Sequence, residues 1–418
     1  MPRPDARRGP GFLVALEHML RKYVEFIRQP DVARLLGVAL LSRMPVGMVG
    51  FSMLMFLRES LGSFSAAGTA VGANFVAIAI TAPVLGRLID RHGARPVLWV
   101  TGTLQPLALV AILAGAKLGL PFALVVASAA CAGVFAPPIT TLTRTVWRHR
   151  FEREEDRRTA FALDAVTIEV NFTVGPALMG AILAGAGATA AFCTAIAAVV
   201  AAVGVFATSP GLRYFGRGAD VQRHLLGPLT EPRLWVVFAA TFGLTIAFGL
   251  LEVGYPAYAT GLGVPALAGL LLGINSLGSA IGGAIYGGLH FKAPVERQFA
   301  AALGLMVVPL FLHAIVGPTA LFALVAFLAG ALIAPSIAAQ SVLVSRLAPS
   351  HYAAEAFTWS STFIVSGLGA GMALGGHLVE APGVRASFAV GAAIVAAMAL
   401  LALAIAPARA MSPARGSD

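Results

Sequence analysis

Apolar residues along this chain run in blocks of about 20, each closed by charges, Pro or Gly, and the blocks recur twelve times. They lie near residues 32–57, 66–89, 96–116, 121–143, 160–184, 188–208, 233–258, 265–290, 298–316, 319–345, 352–379 and 385–407. A helix rises 1.5 Å per residue, so a block of this length crosses the roughly 30 Å hydrocarbon layer of a bilayer. The pattern predicts an all-α membrane protein with twelve transmembrane helices, and an even number of passes puts both termini on one side. The longest polar interval after the first 31 residues runs from about Ser209 to Pro232 and divides the passes six and six. The expected organisation is a basic N-terminal segment 1–31, a first bundle 32–208, a linker 209–232, a second bundle 233–407 and a tail 408–418.

Composition narrows the class further. Of 418 residues, 58% are hydrophobic and 11% charged, against roughly 45–50% apolar and about 25% charged in a soluble domain. An ordinary soluble protein is excluded. The 46 Gly and 25 Pro sit inside Ala-, Leu- and Val-rich runs, where membrane helices accept them. A formal net charge of +10 would raise nucleic-acid binding if the basic residues formed an exposed basic face. Topology accounts for them instead: apart from Arg43, Arg58, Lys117 and Arg385, every Lys and Arg falls on the side of the termini. This is the positive-inside asymmetry, which predicts that both termini are cytoplasmic and that nucleic acid is not a partner. Cys131 and Cys193 are too few for a disulfide framework and read as core filler. The eight His are scattered without metal-ligand spacing, so neither a metal, a cofactor nor an enzymatic centre is expected.

The first 31 residues contain no small-residue cleavage site, so no signal peptide is expected there. Residues 12–28 read either as a basic amphipathic helix on the membrane surface or as a helix without lipid contact. A weak internal repeat aligns Ala132-Gly133 through Pro137-Pro138 with Ala329-Gly330 through Pro335-Ser336, and a shift of 196 brings Ala160-Phe161 onto Ala356-Phe357. Gly278-x3-Gly282, Gly283-x3-Gly287 and Gly367-x3-Gly371-x3-Gly375 have the spacing that lets helices approach closely and slide.

The connection between the second and third passes reads Gly86-Arg87-Leu88-Ile89-Asp90-Arg91-His92-Gly93-Ala94-Arg95-Pro96. With twelve passes divided six and six, it resembles the signature of the major facilitator superfamily at Gly86, Asp90, Arg91, Gly93 and Arg95, and departs from it at Ala94. The resemblance implies two six-helix bundles around a central cavity, over about residues 30–408. It also implies a loop that latches the bundles on the cytoplasmic side of the outward-open state. There Gly86 would permit close helix contact, Asp90 would accept from helix N-termini or Arg donors, and Gly93 would allow the reversing turn. In the fifth pass Gly175, Pro176 and Gly180 resemble the antiporter motif of drug and proton exchangers in this family, although Val170 and Asn171 stand where its upstream glycine is usual. Many proton-coupled members also carry an Arg early in the fourth pass. Ala127 to Gly133 contain none, so any proton-linked residue has to lie elsewhere.

Charges inside the blocks mark that elsewhere. Arg43 lies about eleven residues into the first block and Glu169 about nine into the fifth, depths of roughly 16 and 13 Å. A charge at such depth costs at least ~2.5–3.5 kcal/mol, so it faces a partner or a wet cavity. The expectation is an Arg43–Glu169 pair, with Glu169 responding to protons or cations and Arg43 as its counter-ion or as a clamp on an anionic substrate. A permanent structural ion pair is the alternative. Asp164 is expected at an interface or entrance, one turn nearer the cytoplasm. Glu252, before Gly254-Tyr255-Pro256, is expected either on a broken or bent gating helix or as a solvated helix-end charge. Glu355 is expected as a surface carboxylate at a helix start. Asn74, Gln105, Asn171 and Asn275 are expected to bond neighbouring helices, Asn171 also counting among the cavity candidates. Phe172, Trp359 and Phe363 are candidates for an apolar pocket. With these residues, the resemblance to the twelve-span drug exporters of the family implies a secondary active exporter of a small, partly apolar organic molecule, driven by protons across the inner membrane; a monomer is expected, although the sequence does not decide between monomer and dimer. A metabolite or sugar permease is the alternative.

Overall fold

The computed structural model describes residues 21, 23–214, 230–289, 291–349 and 352–405. Most of the N-terminal segment, the middle of the linker and the tail, with the expectations attached to them, lie outside the described residues. The helices are α1 (Val32–Leu61), α2 (Phe64–His92), α3 (Ala94–Lys117), α4 (Phe122–Val134), α5 (Ile139–Arg150), α6 (Glu154–Ala207), α7 (Pro232–Gly261), α8 (Leu267–Gly288), α9 (Val295–Ile315), α10 (Thr319–Gly330), α11 (Ile333–Leu347), α12 (Ala353–Glu380) and α13 (Val384–Ala402).

Eleven described stretches are long and apolar enough to cross a membrane, and the one running from Glu155 to Ala207, at 53 residues, is far too long for a single pass. It is two passes folded at Gly187, whose φ of 85° and ψ of 171° interrupt the helix in a conformation that glycine adopts without strain. Two other passes are each built from two helices. Pro137 and Pro138, which have no amide hydrogen to give, separate α4 from α5, and Ala331–Leu332 separate α10 from α11.

These two breaks fall on the internal repeat, and the structure extends it. In the first half Asn74 of α2 donates to Ala129 O at 2.9 Å, and Gly133, one turn along α4, packs on the carbonyl of Asn74. In the second half Asn275 of α8 donates to Ala326 O at 2.9 Å, and Gly330, one turn along α10, packs on the carbonyl of Asn275. Each half thus closes the same clasp: an Asn side chain bonds a carbonyl while a glycine lets the two backbones meet. The expectation of helix contact for these two Asn is met.

The halves meet along two seams, α2 against α12 and α6 against α8. Gly68 and Gly72 face Met372, Gly376, Gly369 and Ala373, while Gly180 and Pro176 face Gly269, and Thr173 faces Gly273. All these contacts lie in the half of the membrane away from the termini, here the far half. Glu380 ends the first seam, its carboxylate accepting from the Ser63 hydroxyl and from the Phe64 and Ser65 amides at the start of α2. Phe51 to Leu57 of α1 are buried on every side there, whereas Leu41 and Val46, nearer the termini, are 55% and 49% exposed. The bundles are therefore closed on the far side and parted toward the termini.

One expectation about packing is corrected, and one is met within a single bundle. Cys131 and Cys193 are exposed and do not fill a core. Gly278, Gly282, Gly367 and Gly371 lie against Phe327, Ala331, Phe242 and Ile246 inside the second bundle. The glycines at the seams between the halves are instead Gly68, Gly72, Gly180, Gly269, Gly273, Gly369 and Gly376.

Candidate functional site

Helix α6 starts at Glu154, six residues before the expected block, and this moves every charge on it relative to α1. Asp164 is ten residues into α6 and Arg43 eleven into α1, so these two share a level. Helical side chains also lean toward their own N-terminus, which carries the Arg43 guanidinium back onto Asp164. Arg43 Nη1 donates to Asp164 Oδ1 at 2.7 Å and Nη2 to Oδ2 at 3.2 Å. The same carboxylate accepts from Trp147 Nε1 at 2.9 Å and has Arg144 Nε at 3.6 Å. Arg43 reaches Thr167 Oγ1 at 3.1 Å as well.

The expected Arg43–Glu169 pair is therefore replaced by Arg43–Asp164. Asp164 is not an interfacial charge, since both partners are buried, Arg43 at 1% and Asp164 at 1% exposure. The cluster ties α1, α5 and α6 together. A two-pronged guanidinium–carboxylate contact with an added indole donor gives the buried carboxylate good hydrogen-bonding geometry. Trp147, Arg144 and Thr167 escaped sequence reasoning; Trp147 and Arg144 stand on a helix whose polar, basic composition reads as a surface segment.

Glu169 points elsewhere. Asp164, Asn171 and Gly175 repeat at helical spacing along the α6 face toward α1, where Asn171 Nδ2 donates to Leu40 O at 3.2 Å and Gly175 lies on Gly47. Glu169 falls on the other face, with Thr173, Pro176 and Gly180, and its carboxylate meets the hydroxyl of Ser279 on α8, in the opposite bundle. Of the helix-bending triplet, Gly175 thus packs within the first bundle, Pro176 lays its ring toward Gly47 of α1 and its carbonyl on Gly269 of α8, and Gly180 belongs to the seam.

At the terminal end Gly93 has φ 85°, the left-handed turn that joins α2 to α3. Arg87, Arg91 and Arg95 are exposed, and no atom crowds Gly86. Asp90 lies in the last turn of α2. In this conformation, parted toward the termini, the loop makes no close glycine contact with the opposite bundle. Glu355 is correct as a residue of the first turn of α12, but it is buried rather than solvated.

In the second bundle α7 runs unbroken through Pro256, so the expected break next to Glu252 is absent. Behind it lies a polar chain that sequence reasoning did not find. His313 Nδ1 is 2.7 Å from Pro309 O; a carbonyl only accepts, so Nδ1 carries the hydrogen and, in the neutral ring, Nε2 accepts from the Tyr255 hydroxyl at 3.2 Å. Asn275 Nδ2 donates to the Tyr255 oxygen at 3.4 Å. The rings of Phe322 and Phe388 enclose His313, with centroids at 4.8 and 5.1 Å. Nearer the termini a second aromatic group gathers around Phe363. Phe238 stacks on it at 5.2 Å, and Trp235, Phe242 and Trp359 stand at 6.0 to 6.2 Å. Phe172 of α6 is 37% exposed. Among the described residues no group of His, Cys, Asp and Glu is placed to hold a metal ion.

Comparison with known proteins bears on the whole of this architecture. The family model of the Major Facilitator Superfamily matches residues 35–367. The fold is similar to that of the nucleoside transporter NupG (D323A mutant), with 14% identity, TM-score 0.69 and coverage of 89% of this chain and 99% of the other. It is also similar to the peptide transporter POT in complex with sulfate, with 13% identity, TM-score 0.68 and coverage of 89% and 93%. The human organic anion transporter MFSD10 (TETRAN) aligns with 15% identity, TM-score 0.58 and coverage of 90% and 100%. No curated protein matches the sequence.

Proposed function

The chain belongs to the major facilitator superfamily, and we propose that within it the protein is a proton-coupled exporter of a small, partly apolar organic molecule, working by alternating access. It is a multi-pass membrane transporter and not an enzyme. The positive-inside asymmetry favours a terminal side in the cytoplasm of a bacterial inner membrane, which makes the described conformation inward-facing. The aromatic group around Phe363 suits a ligand with an apolar ring or chain. The resemblance of Gly175, Pro176 and Gly180 to the exchanger motif supports export, and a monomer with twelve passes is a complete two-bundle unit.

The observation that carries proton coupling is the position of Glu169. It sits on the seam, not in the Arg43 ion pair, with the Ser279 hydroxyl of the other bundle as its partner. Adding or removing a proton there changes the charge between two surfaces that must part and rejoin, and so biases their equilibrium. Arg43 and Asp164, neutralising each other, then serve as a fixed tie that keeps α1 and α6 moving as one body. Transport by wild type and Glu169→Gln is to be compared in vesicles at several imposed pH gradients, with lipophilic cations and natural-product antibiotics as probes. The expected result is gradient-dependent flux in the wild type and a flux that no longer follows the gradient in the variant. Flux in Glu169→Gln that tracks the gradient as the wild type does would end this role for the residue.

A permease that equilibrates a metabolite is the second reading, supported by the nucleoside and peptide transporters of similar fold. Wild-type flux indifferent to the gradient would favour it.

A further inference from the structure

Glu252 stands in the far third of α7, nine residues before its end at Gly261. On one side of it Tyr255 points to α9 and α8, and on the other Gly249 is pressed against Leu368, Gly371 and Met372 of α12. Glu252 therefore looks between α8 and α12, into the space the first bundle closes. It keeps some accessible surface there, while its neighbours Leu250, Leu251, Val253 and Tyr255 are exposed by 3% or less.

The polar side chains one turn from this carboxylate and on the facing helix are already engaged. The Tyr255 hydroxyl goes to His313, and the Asn275 amide goes to Ala326 O and Tyr255. The hydroxyls of Thr241 and Thr245 bond carbonyls of their own helix. Pro256 follows four residues on and has no amide hydrogen, so it leaves the main-chain carbonyl of Glu252 without its helical donor. One residue thus presents a carboxylate and, beside it, a main-chain carbonyl that lacks its i+4 donor, both acceptors.

The charged and titratable groups around it are few. Tyr255 is one turn away, with His313 behind it. Arg58 and Glu59 of α1, Glu380 of α12 and Arg385 of α13 all stand at the far rim, and Arg43 is held by Asp164. Among the described residues none forms an ion pair with Glu252. Enclosing an unneutralised carboxylate is costly, and an acceptor-only site is suited to a positive charge.

We propose that Glu252 is a cation site within the far gate, where a proton or the ammonium head of a small organic cation neutralises the carboxylate as the far half closes. The inference rests on the alternating-access reading but not on the role of Glu169. On opening, water reaches Glu252 from the far side and the cation exchanges; on closing, the site is carried shut with its occupant.

The test is a distance measurement in the absence of any gradient or transported substrate. Spin labels are placed at Leu118→Cys and Leu262→Cys, exposed far-side positions on the two bundles, in protein carrying Cys131→Ala and Cys193→Ala in lipid nanodiscs. Far-side distances are read from acid to alkaline pH, and again at alkaline pH with tetramethylammonium. In the wild type the closed-to-open ratio is expected to rise on acidification, by up to about tenfold per pH unit for one proton, or to rise with tetramethylammonium, which identifies the occupant. Glu252→Gln should stay closed and ignore both, while Glu252→Asp should respond. The same titration on Glu169→Gln separates the two sites, and there the response should persist. A wild type that answers neither cation, a Glu252→Gln protein that answers as the wild type does, or a response lost only in Glu169→Gln would each overturn the assignment.

Discussion

Replacing Asp164 by Ala should destabilise the protein by about 3–5 kcal/mol, the cost of leaving one member of a buried ion pair without its partner. Arg43 is almost fully enclosed, and its Nε already has no hydrogen-bond partner; once the carboxylate is gone its remaining partners are the Thr167 hydroxyl and the Thr140 carbonyl, both neutral, and the buried charge is left uncompensated. Arg144 makes matters worse, because removing Asp164 leaves two guanidinium groups near each other without the acid between them. Removing both charges should cost much less. In Arg43→Met with Asp164→Leu, apolar groups of similar volume replace the pair and the desolvation cost disappears. Thermal or denaturant unfolding in detergent, run as a double-mutant cycle, checks this. A single variant within about 1 kcal/mol of wild type would show that Arg43 is reached by water, contrary to its burial.

Gly269→Val should abolish transport by preventing the far side from closing, while the protein stays folded. A methyl group placed on Gly269 meets the carbonyl of Pro176 and the Gly180 Cα, both backbone atoms of the opposite bundle that have no rotamer to yield. Each bundle has its own interior, so the seam opens before either core is disturbed, and the fall in transport is expected to exceed tenfold. Far-side labels at Leu118→Cys and Leu262→Cys should then report a widened distance, and the purified variant should elute as the wild type does. Transport near the wild-type rate would mean that the α6–α8 seam does not have to close this tightly. The contrast with Gly278, where the added methyl meets the Phe327 carbonyl inside the second bundle, is instructive: there the expected loss is in stability.

The twelve passes were legible because bilayer thickness imposes a length on every apolar block, and the six-plus-six division followed from one polar interval. Depth along a helix was legible to within a turn or two, and that was not enough for the charges. Glu169 and Asp164 are five residues apart, which turns them to different faces of α6, and a helix start six residues earlier than expected moved the level at which Arg43 finds its partner. The Tyr255–His313–Asn275 chain was hidden for another reason: its members stand on three helices spread over 58 residues, and none belongs to a spacing pattern. The Gly-x3-Gly runs were legible as close contacts, but spacing alone does not tell whether a glycine meets its own bundle or the other.

The paired clasps have one more consequence. Asn74 with Gly133, and Asn275 with Gly330, each close entirely inside one half of the chain. Between the halves, among the described residues, the seams use backbone apposition and a few hydrogen bonds, with no ion pair. Each half therefore carries its own instructions for assembly, and cutting the gene within codons 215–229 should yield two polypeptides that insert separately and dock into a working whole.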